Sequence, residues 1–395
     1  MRIFISTGEV SGDLQGAILT EALRKRAAEL DLDLEVLALG GDRMEQAGAT
    51  LLGNTTGIGS IGLLEAVPFI LPTIKLQNYA KQYLQKNPPD VVVLIDYAAP
   101  NIAIGNHVKK HLPQVPIVYY IAPQDWAVPK LGNAPKLVAF VDKLLAVFPQ
   151  EAEYYQKRGI DVTWVGHPML DKLEGKSDRN LARQQLGLTP EQPIVTLLPA
   201  SRRQEIKKLL PIIAEAARII QQQIPEIQFL IPLALPKYRE AIQAAIIEYQ
   251  IAATIIEKGN SNYDHYSAIA AADLAITKSG TVNLEIALLD TPQVVLYKVH
   301  PLTAWVGRKL LKIDVPLMSP VNLLLNQEIT PELQQEAATP ENVATQALEI
   351  LKSQERSQAI LQGYQEMRSR LGEIGVTTRA ASEIINLAKA WNLLA

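Results

Sequence analysis

Short apolar, β-branched runs recur along this chain, and between them lie stretches with helical or loop-like patterning. The first series is "RIFIST", "LEVLALG", "PDVVVLID", "PIVYYIA", "KLLAVF" and "VTWVG". Runs that are apolar throughout, not alternating, belong to strands buried on both faces, and parallel strands need long crossovers, usually helices. The pattern therefore predicts an α/β chain built on parallel sheets. After "GHPMLD" the segment Lys172–Pro190 turns polar, and a second series follows: "PIVTLLP", "IQFLIP", "ATIIEK", "DLAIT" and "PQVVLY". Two Rossmann-like domains are expected, 1–171 and 172–360, hinged near Asp171–Pro190, with ligands where strand C-termini face a central cleft. Residues 361–395, including "RAASEIINLAKAWNLLA", read as a helical segment packing back on the first domain or on a partner subunit. A length of 395 residues with 48% hydrophobic content suits two cores better than one.

Charge is nearly balanced, 38 Lys and Arg against 41 Asp and Glu, so nothing in bulk electrostatics calls for a nucleic-acid partner. The chain has no cysteine, which removes disulfides, thiolate metal sites and cysteine nucleophiles and fits a reducing compartment. No stretch reaches the ~20 apolar residues of a membrane span, and the apolar run at the N-terminus is too short for a signal peptide. A cytoplasmic protein is expected, with contact to a membrane face left open.

Four strand ends carry candidate chemistry. In "ISTGEVSGDLQGA" the glycines Gly8, Gly12 and Gly16 are spaced G-x3-G-x3-G. That spacing fits neither the dinucleotide fingerprint nor a P-loop, in which Lys, not Asp13, would follow Gly12. Two readings of this turn stand side by side: Ser11 or Asp13 caps a helix over about Gly12–Lys25, or a ligand sits on the turn, as its strand-end position with Glu9 and Asp13 suggests. Glu9 and Asp13, at a helix N-terminus, would be stabilised as anions and suit hydroxyl binding better than proton donation. The strand "PDVVVLID" ends in Asp96, a position suited to a general base, with an Asx-type turn around Pro100 as the structural alternative.

In the second half, "LLPASRRQEIKKLL" is a strand, a turn and a basic helix start, with Ser201 and Gln204 as a capping box. Arg202 and Arg203 oppose the helix dipole unless an anion such as a diphosphate lies between them and the backbone N–H groups. In "AITKSGTVNLEIA", Ser279, Gly280 and Thr281 open a helix, and Glu285 follows Thr281 by one turn, where it would hold a ribose diol. Two other features are set aside. His107 and His111 have metal-ligand spacing but no third ligand nearby in the sequence, and "DLD" at Asp31–Asp33 precedes a strand instead of following one.

Taken together, these motifs resemble those of the lipid-A-disaccharide synthase family, inverting glycosyltransferases of the GT-B fold. "GEVSGDLQGA" resembles the family's Gly-Glu-Ala-Ser-Gly-Asp opening, and "LGGDRMEQAG" its Gly-x-x-Met-x-x-x-Gly element. "PDVVVLID", "VYYIAPQDWA", "FPQEAEYY" and "VGHPMLD" resemble the family's segments in the same order. "LLPASRRQEI", "KSGTVNLE" and "VNLLLNQEITPELQQ" do so in the second half.

The resemblance implies transfer of 2,3-diacylglucosamine from UDP to 2,3-diacylglucosamine 1-phosphate, giving a β-1,6 disaccharide and UDP without metal or other cofactor. It casts Asp96 as base, assisted by Glu9. Ser11, Gly12, Asp13 and Asn101 would line the acceptor side, while Arg202, Glu205, Ser279, Gly280, Thr281, Glu285 and Asn322 would serve UDP. Acylated substrates imply peripheral association with the inner face of the membrane. "IGLLEAVPFILPTIKL" is the expected contact, through Leu63, Leu64, Val67, Phe69, Ile70 and Leu71, with Lys75 near lipid phosphates. Pro68 and Pro72 argue against one regular helix there. A homodimer built through the C-terminal region is also implied.

This chain departs from the family at three places. Asp96-Tyr97-Ala98-Ala99-Pro100-Asn101 replaces Asp-Ala-Pro-Asp-Phe-Asn, Ala200 stands where the family has Gly, and "MSPVN" replaces a Leu-Pro-Asn. These departures keep two alternatives open: a same-fold UDP-sugar transferase or epimerase with another substrate, and a UDP-sugar-binding regulatory protein without turnover.

Overall fold

The computed structural model describes residues 1–57, 63–127, 132, 134–199, 203–233, 235–257, 265–298 and 317–393, and only the backbone of 63–68, 203 and 204. The chain forms two compact units, Met1–Lys172 with Arg370–Ala395, and Leu173–Ser369.

The first unit carries strands β1 (Arg2–Ser6), β2 (Glu35–Gly40), β3 (Thr50–Asn54), β4 (Val91–Ile95), β5 (Ile117–Tyr120), β6 (Lys143–Ala146) and β7 (Val162–Trp164). They form one parallel sheet in the order β3-β2-β1-β4-β5-β6-β7. Val91–Ile95 is fully buried, as an all-apolar central strand must be when both faces are covered. Phe4, Leu37, Val92, Ile104, Tyr119 and Phe140 belong to one core. The edge strand β3, "TLLGN", is partly exposed along its whole length and includes Gly53, so its apolar signal is short.

The second unit repeats the plan with β8 (Ile194–Leu198), β9 (Gln228–Pro232), β10 (Ala253–Ile256), β11 (Leu274–Lys278), β12 (Gln293–Tyr297) and β13 (Glu332–Gln334). The parallel order is β10-β9-β8-β11-β12-β13. Helix Arg203–Gln223 packs against helix Pro340–Lys352, each burying an apolar stripe that includes Ile213, Ala217, Ala344 and Ala347.

Two expectations are corrected. The return to the first unit comes at Arg370, because Leu361 lies inside helix Gln354–Arg370, whose Tyr364 is buried in the second unit against Gln293. The last helix, Val376–Asn392, packs on helix Glu9–Glu29, and Asp171 caps its start. Asp171 accepts from the N–H groups of Gly375 (2.7 Å), Val376 (3.2 Å) and Thr377 (2.8 Å) and from the Thr377 hydroxyl (2.7 Å). Helix Leu63–Lys86 continues unbroken through Pro68 and Pro72. The two prolines are four residues apart, hence on one side of the helix, and Pro72 is exposed, so water can satisfy the carbonyl its ring deprives of a donor.

Candidate active site

In each sheet the strand order reverses once, between β1 and β4 in the first unit and between β8 and β11 in the second. Ligands of open α/β sheets bind beyond the strand C-termini at such a switch point. The motif residues singled out by the sequence follow these four strands.

At the first switch point the backbone is held in an unusual conformation. Glu9 (φ 61°), Asp96 (φ 45°), Tyr97 (φ 48°) and Ile121 (φ 58°) all occupy the left-handed region, just past the ends of β1, β4 and β5. Each such turn costs a non-glycine residue about 1–2 kcal/mol, and a β-branched residue such as Ile121 is an uncommon occupant. Hydrogen bonds hold the conformation. The Asp96 N–H donates to the Ile121 carbonyl (3.0 Å), and the Asp96 carbonyl accepts from the Tyr119 hydroxyl (2.6 Å) and from Asn101 Nδ2 (2.8 Å). Asp96 is exposed, and Glu9 and Ser11, in the first turn of the helix after β1, are half-buried. The Tyr97 ring lies on Gly8, where any Cβ would collide with it. Burial raises the Tyr97 phenol above its ordinary pKa.

Several candidate residues prove to have internal tasks. Helix Glu9–Glu29 begins at Glu9 with Gly8 as N-cap and no side-chain cap, so Ser11 and Asp13 lie inside it. Asp13, buried, instead caps the neighbouring helix Asp42–Gln46. It accepts from the N–H groups of Gly41 (2.9 Å), Met44 (3.1 Å) and Arg43 (3.2 Å). Gly12 is buried because the Thr7 side chain occupies the space a Cβ would need. Asn101 is wholly buried: Oδ1 accepts from the Ser6 hydroxyl (2.7 Å), and Nδ2 donates to the carbonyls of Asp96, Ile95 (3.0 Å) and Ser6 (3.3 Å). The amide ties β1 to β4 beneath the exposed carboxylate, and its side chain has no reach to an acceptor.

In the second unit, Gly280 adopts φ 154°, a conformation that disfavours other residues, and its N–H donates to Asn283 Oδ1 (2.7 Å). Buried Asn283 also donates to the Lys278 carbonyl (3.0 Å) and Gln293 (3.0 Å), fixing the turn between β11 and helix Val282–Leu288. Ser279 donates to the Met318 carbonyl (3.3 Å), and Thr281 is exposed. Lys278 Nζ lies over Gly280 and 3.4 Å from Glu205, both side chains only 14% exposed. Glu285 is buried with one oxygen 3.4 Å from His265 Nε2. Asn322 is fully buried, and its amide is spent on Thr330, Ile329 and Glu332, so it braces the loop after helix Pro320–Leu325. Arg202 lies outside the described residues, as do the side chains of Leu63, Leu64 and Val67.

Lys278, His265, Tyr119, Ile121 and Glu151 were not singled out from the sequence. Only Glu151 has a local signal, the acid at the third position of helix Pro149–Gln156 that reaches back to the Phe148 N–H. Burial pushes its carboxyl up to about 7 against the pull of three backbone N–H donors. Among the described residues no group of three acids and histidines is arranged to hold a metal. His107 and His111 stack on each other with ring centroids 4.3 Å apart.

Two doubly wound parallel-sheet domains of this kind define the GT-B class. Solved structures of that architecture superpose along nearly the whole chain. A putative UDP-N-acetylglucosamine 2-epimerase from Listeria monocytogenes gives a TM-score of 0.66 at 17% identity, covering 98% of this chain and 96% of that one. MurG of Acinetobacter baumannii gives 0.55 at 15%, covering 98% and 99%.

Sequence comparison is more specific. The model of the family described as lipid-A-disaccharide synthetase matches residues 3–385. A lipid-A-disaccharide synthase of Gloeothece citriformis is 54% identical over 387 residues, covering 98% of this chain and all of that protein. One from Synechocystis sp. is 50% identical over 390 residues, covering 98% of each. The chain belongs to the lipid-A-disaccharide synthetase family and is a glycosyltransferase.

Proposed function

We propose that the protein transfers 2,3-diacylglucosamine from its UDP donor to 2,3-diacylglucosamine 1-phosphate. The acceptor's 6-hydroxyl oxygen attacks the anomeric carbon from the face opposite UDP as Asp96 takes the hydroxyl proton. The bond to the diphosphate breaks, UDP leaves, and the new β-1,6 link has inverted configuration. The observation that carries this reading is Asp96 itself, an exposed carboxylate at a switch point on a backbone fixed by three hydrogen bonds. Glu9 and Ser11, on the adjacent helix start, orient the acceptor sugar. Arg202, Ser279 and Thr281 take the diphosphate side of UDP, Lys278 supplies a second cation there, and Glu205 with Glu285 serves the nucleoside. The leaving diphosphate is stabilised by these side chains, and no metal or other cofactor takes part.

The acylated substrates are met at the inner face of the membrane. Supporting this, Leu71 (70% exposed), Ile70 (48%) and Ile74 (45%) lie on one helix beside exposed Lys75. No helix among the described residues is long and apolar enough to cross a membrane. The active species is a homodimer, which sedimentation velocity tests directly.

The decisive experiment is transfer by purified protein in mixed micelles with chelator present, read by product mass. Disaccharide formation is the expected result. Intact substrates despite bound UDP would reject the assigned acceptor. Asp96→Asn should lower kcat about 100-fold or more while UDP affinity is retained. Unchanged transfer would remove Asp96 as the base.

A further inference from the structure

A carboxylate on another element fixes the turn that supports Asp96. Glu151 lies on helix Pro149–Gln156, past the end of β6, and is 1% exposed. One of its oxygens accepts from the Ala122 N–H (2.8 Å), and the other accepts from Val147 (2.9 Å) and Phe148 (3.2 Å). The second pair caps the helix. The bond to Ala122 does something else, since it crosses to the segment leaving β5. Ala122 directly follows Ile121, the β-branched residue held at φ 58°, and the Ile121 carbonyl takes the Asp96 N–H. A conformation this unfavourable for Ile121 persists only when surrounding contacts enforce it. The Ala122 N–H is the donor next to it that a buried side chain fixes.

We propose that Glu151 is a positioning residue for the transfer reaction, acting on Asp96 through the Ala122 amide and the Ile121 carbonyl. This rests on the reading of Asp96 as base. Tyr119, whose hydroxyl holds the Asp96 carbonyl, is the second arm of the same clamp.

The geometry separates this role from helix capping. In Glu151→Gln, the amide oxygen can still accept from Val147 and Phe148, but the NH2 group then faces the Ala122 N–H, donor against donor. The cap survives and the link to Ile121 is broken. Steady-state transfer at pH 8 should show kcat reduced at least tenfold, both KM values within twofold of wild type, and a thermal midpoint within a few degrees. Unchanged kcat would overturn the proposal. So would a fall in kcat matched by a collapsed midpoint and raised KM for both substrates, which is what a purely structural acid gives.

Should Glu151→Gln not fold, Tyr119→Phe decides. It keeps the ring and deletes only the hydroxyl, so a several-fold loss of kcat at constant KM supports the clamp and wild-type turnover refutes it. Asp96→Asn is measured alongside. If that variant still turns over, the base assignment has failed. If it is inactive while Glu151→Gln is unimpaired, only the positioning role has failed.

Discussion

Asp13 offers the sharpest separation between a residue that meets substrate and one that builds the floor beneath it. Its position in the "GEVSGD" opening casts it as a hydroxyl binder, but its two oxygens accept three backbone N–H groups of the Gly41–Met44 turn. In Asp13→Ala those donors lose their acceptor. The Gly41 and Met44 bonds are buried, the Arg43 bond is partly so, and the side chain is 4% exposed. A buried unsatisfied donor costs about 1–3 kcal/mol. Two of them, with the third rescued by water, amount to about 2–6 kcal/mol. For a unit of roughly 200 residues this lowers the melting temperature by about 10 °C. Calorimetry reads the melting temperature, and transfer kinetics 20 °C below it read the site. The expected result is a lowered midpoint with kcat and both KM values within about threefold of wild type. A variant with wild-type melting temperature and abolished turnover would refute the assignment and return Asp13 to the substrate.

Three further outcomes follow from the same contacts. Asn322→Ala should cost several kcal/mol by orphaning the N–H groups of Ile329 and Thr330, while UDP affinity of the folded fraction by calorimetric titration stays within twofold. Gly280→Ala forces a side chain into φ 154°, 3.2 Å from Lys278 Nζ, and should raise the donor KM about tenfold or more with little change in acceptor KM. For pH, burial lowers His167 from 6.5 to about 3, so the unfolded chain binds the extra proton in that window and stability rises with pH at about 1.4 kcal/mol per pH unit. Glu151, raised from 4.5 to about 7, has the opposite sign: the folded chain keeps its proton longer, and stability falls as pH rises through that range. The two cancel between about pH 4.5 and 6.5. In His167→Gln the urea midpoint should therefore decline from pH 4.5 to 7, and a midpoint that rises across that range would contradict the assigned signs.

The fold was legible wherever burial writes itself into composition. Central strands such as Val91–Ile95 and Leu274–Lys278 are apolar because both faces are covered, and each was readable as a run. Of the four edge strands, β7 and β10 were also readable as runs, whereas β3, with its glycine, and the three-residue β13 were not, because a half-exposed edge can form without one. The end of the second unit was misplaced because the periodicity of helix Gln354–Arg370 continues past Leu361 and says nothing about which core it joins. At the candidate site, residue type and strand-end position picked out Asp96, Glu9 and the Ser279–Thr281 turn, and these lie just past the ends of β4, β1 and β11. What sequence does not carry is which polar side chain faces inward. Asn101, Asn322 and Asp13 look like ligands on paper because buried staples and substrate contacts use the same amides and carboxylates.

That ambiguity has a pattern, since both switch points are built alike. Past β4, Asn101 reaches back to the carbonyls of Ile95 and Asp96; past β11, Asn283 reaches back to the Lys278 carbonyl and takes the Gly280 N–H. In each unit an amide buried in the following helix fixes the turn on which exposed groups are displayed. An amide suits this because it donates and accepts at once, whereas a carboxylate in the same place would set an anion against carbonyl oxygens. Asn101→Asp and Asn283→Asp should accordingly destabilise more than the corresponding Ala variants, by about 2 kcal/mol or more, although Asp is closer to Asn in shape. Chemical denaturation of the four variants at pH 8 measures the difference. Asp variants as stable as Ala would mean that water reaches these amides, and the turns would then owe their shape to something other than the buried staple.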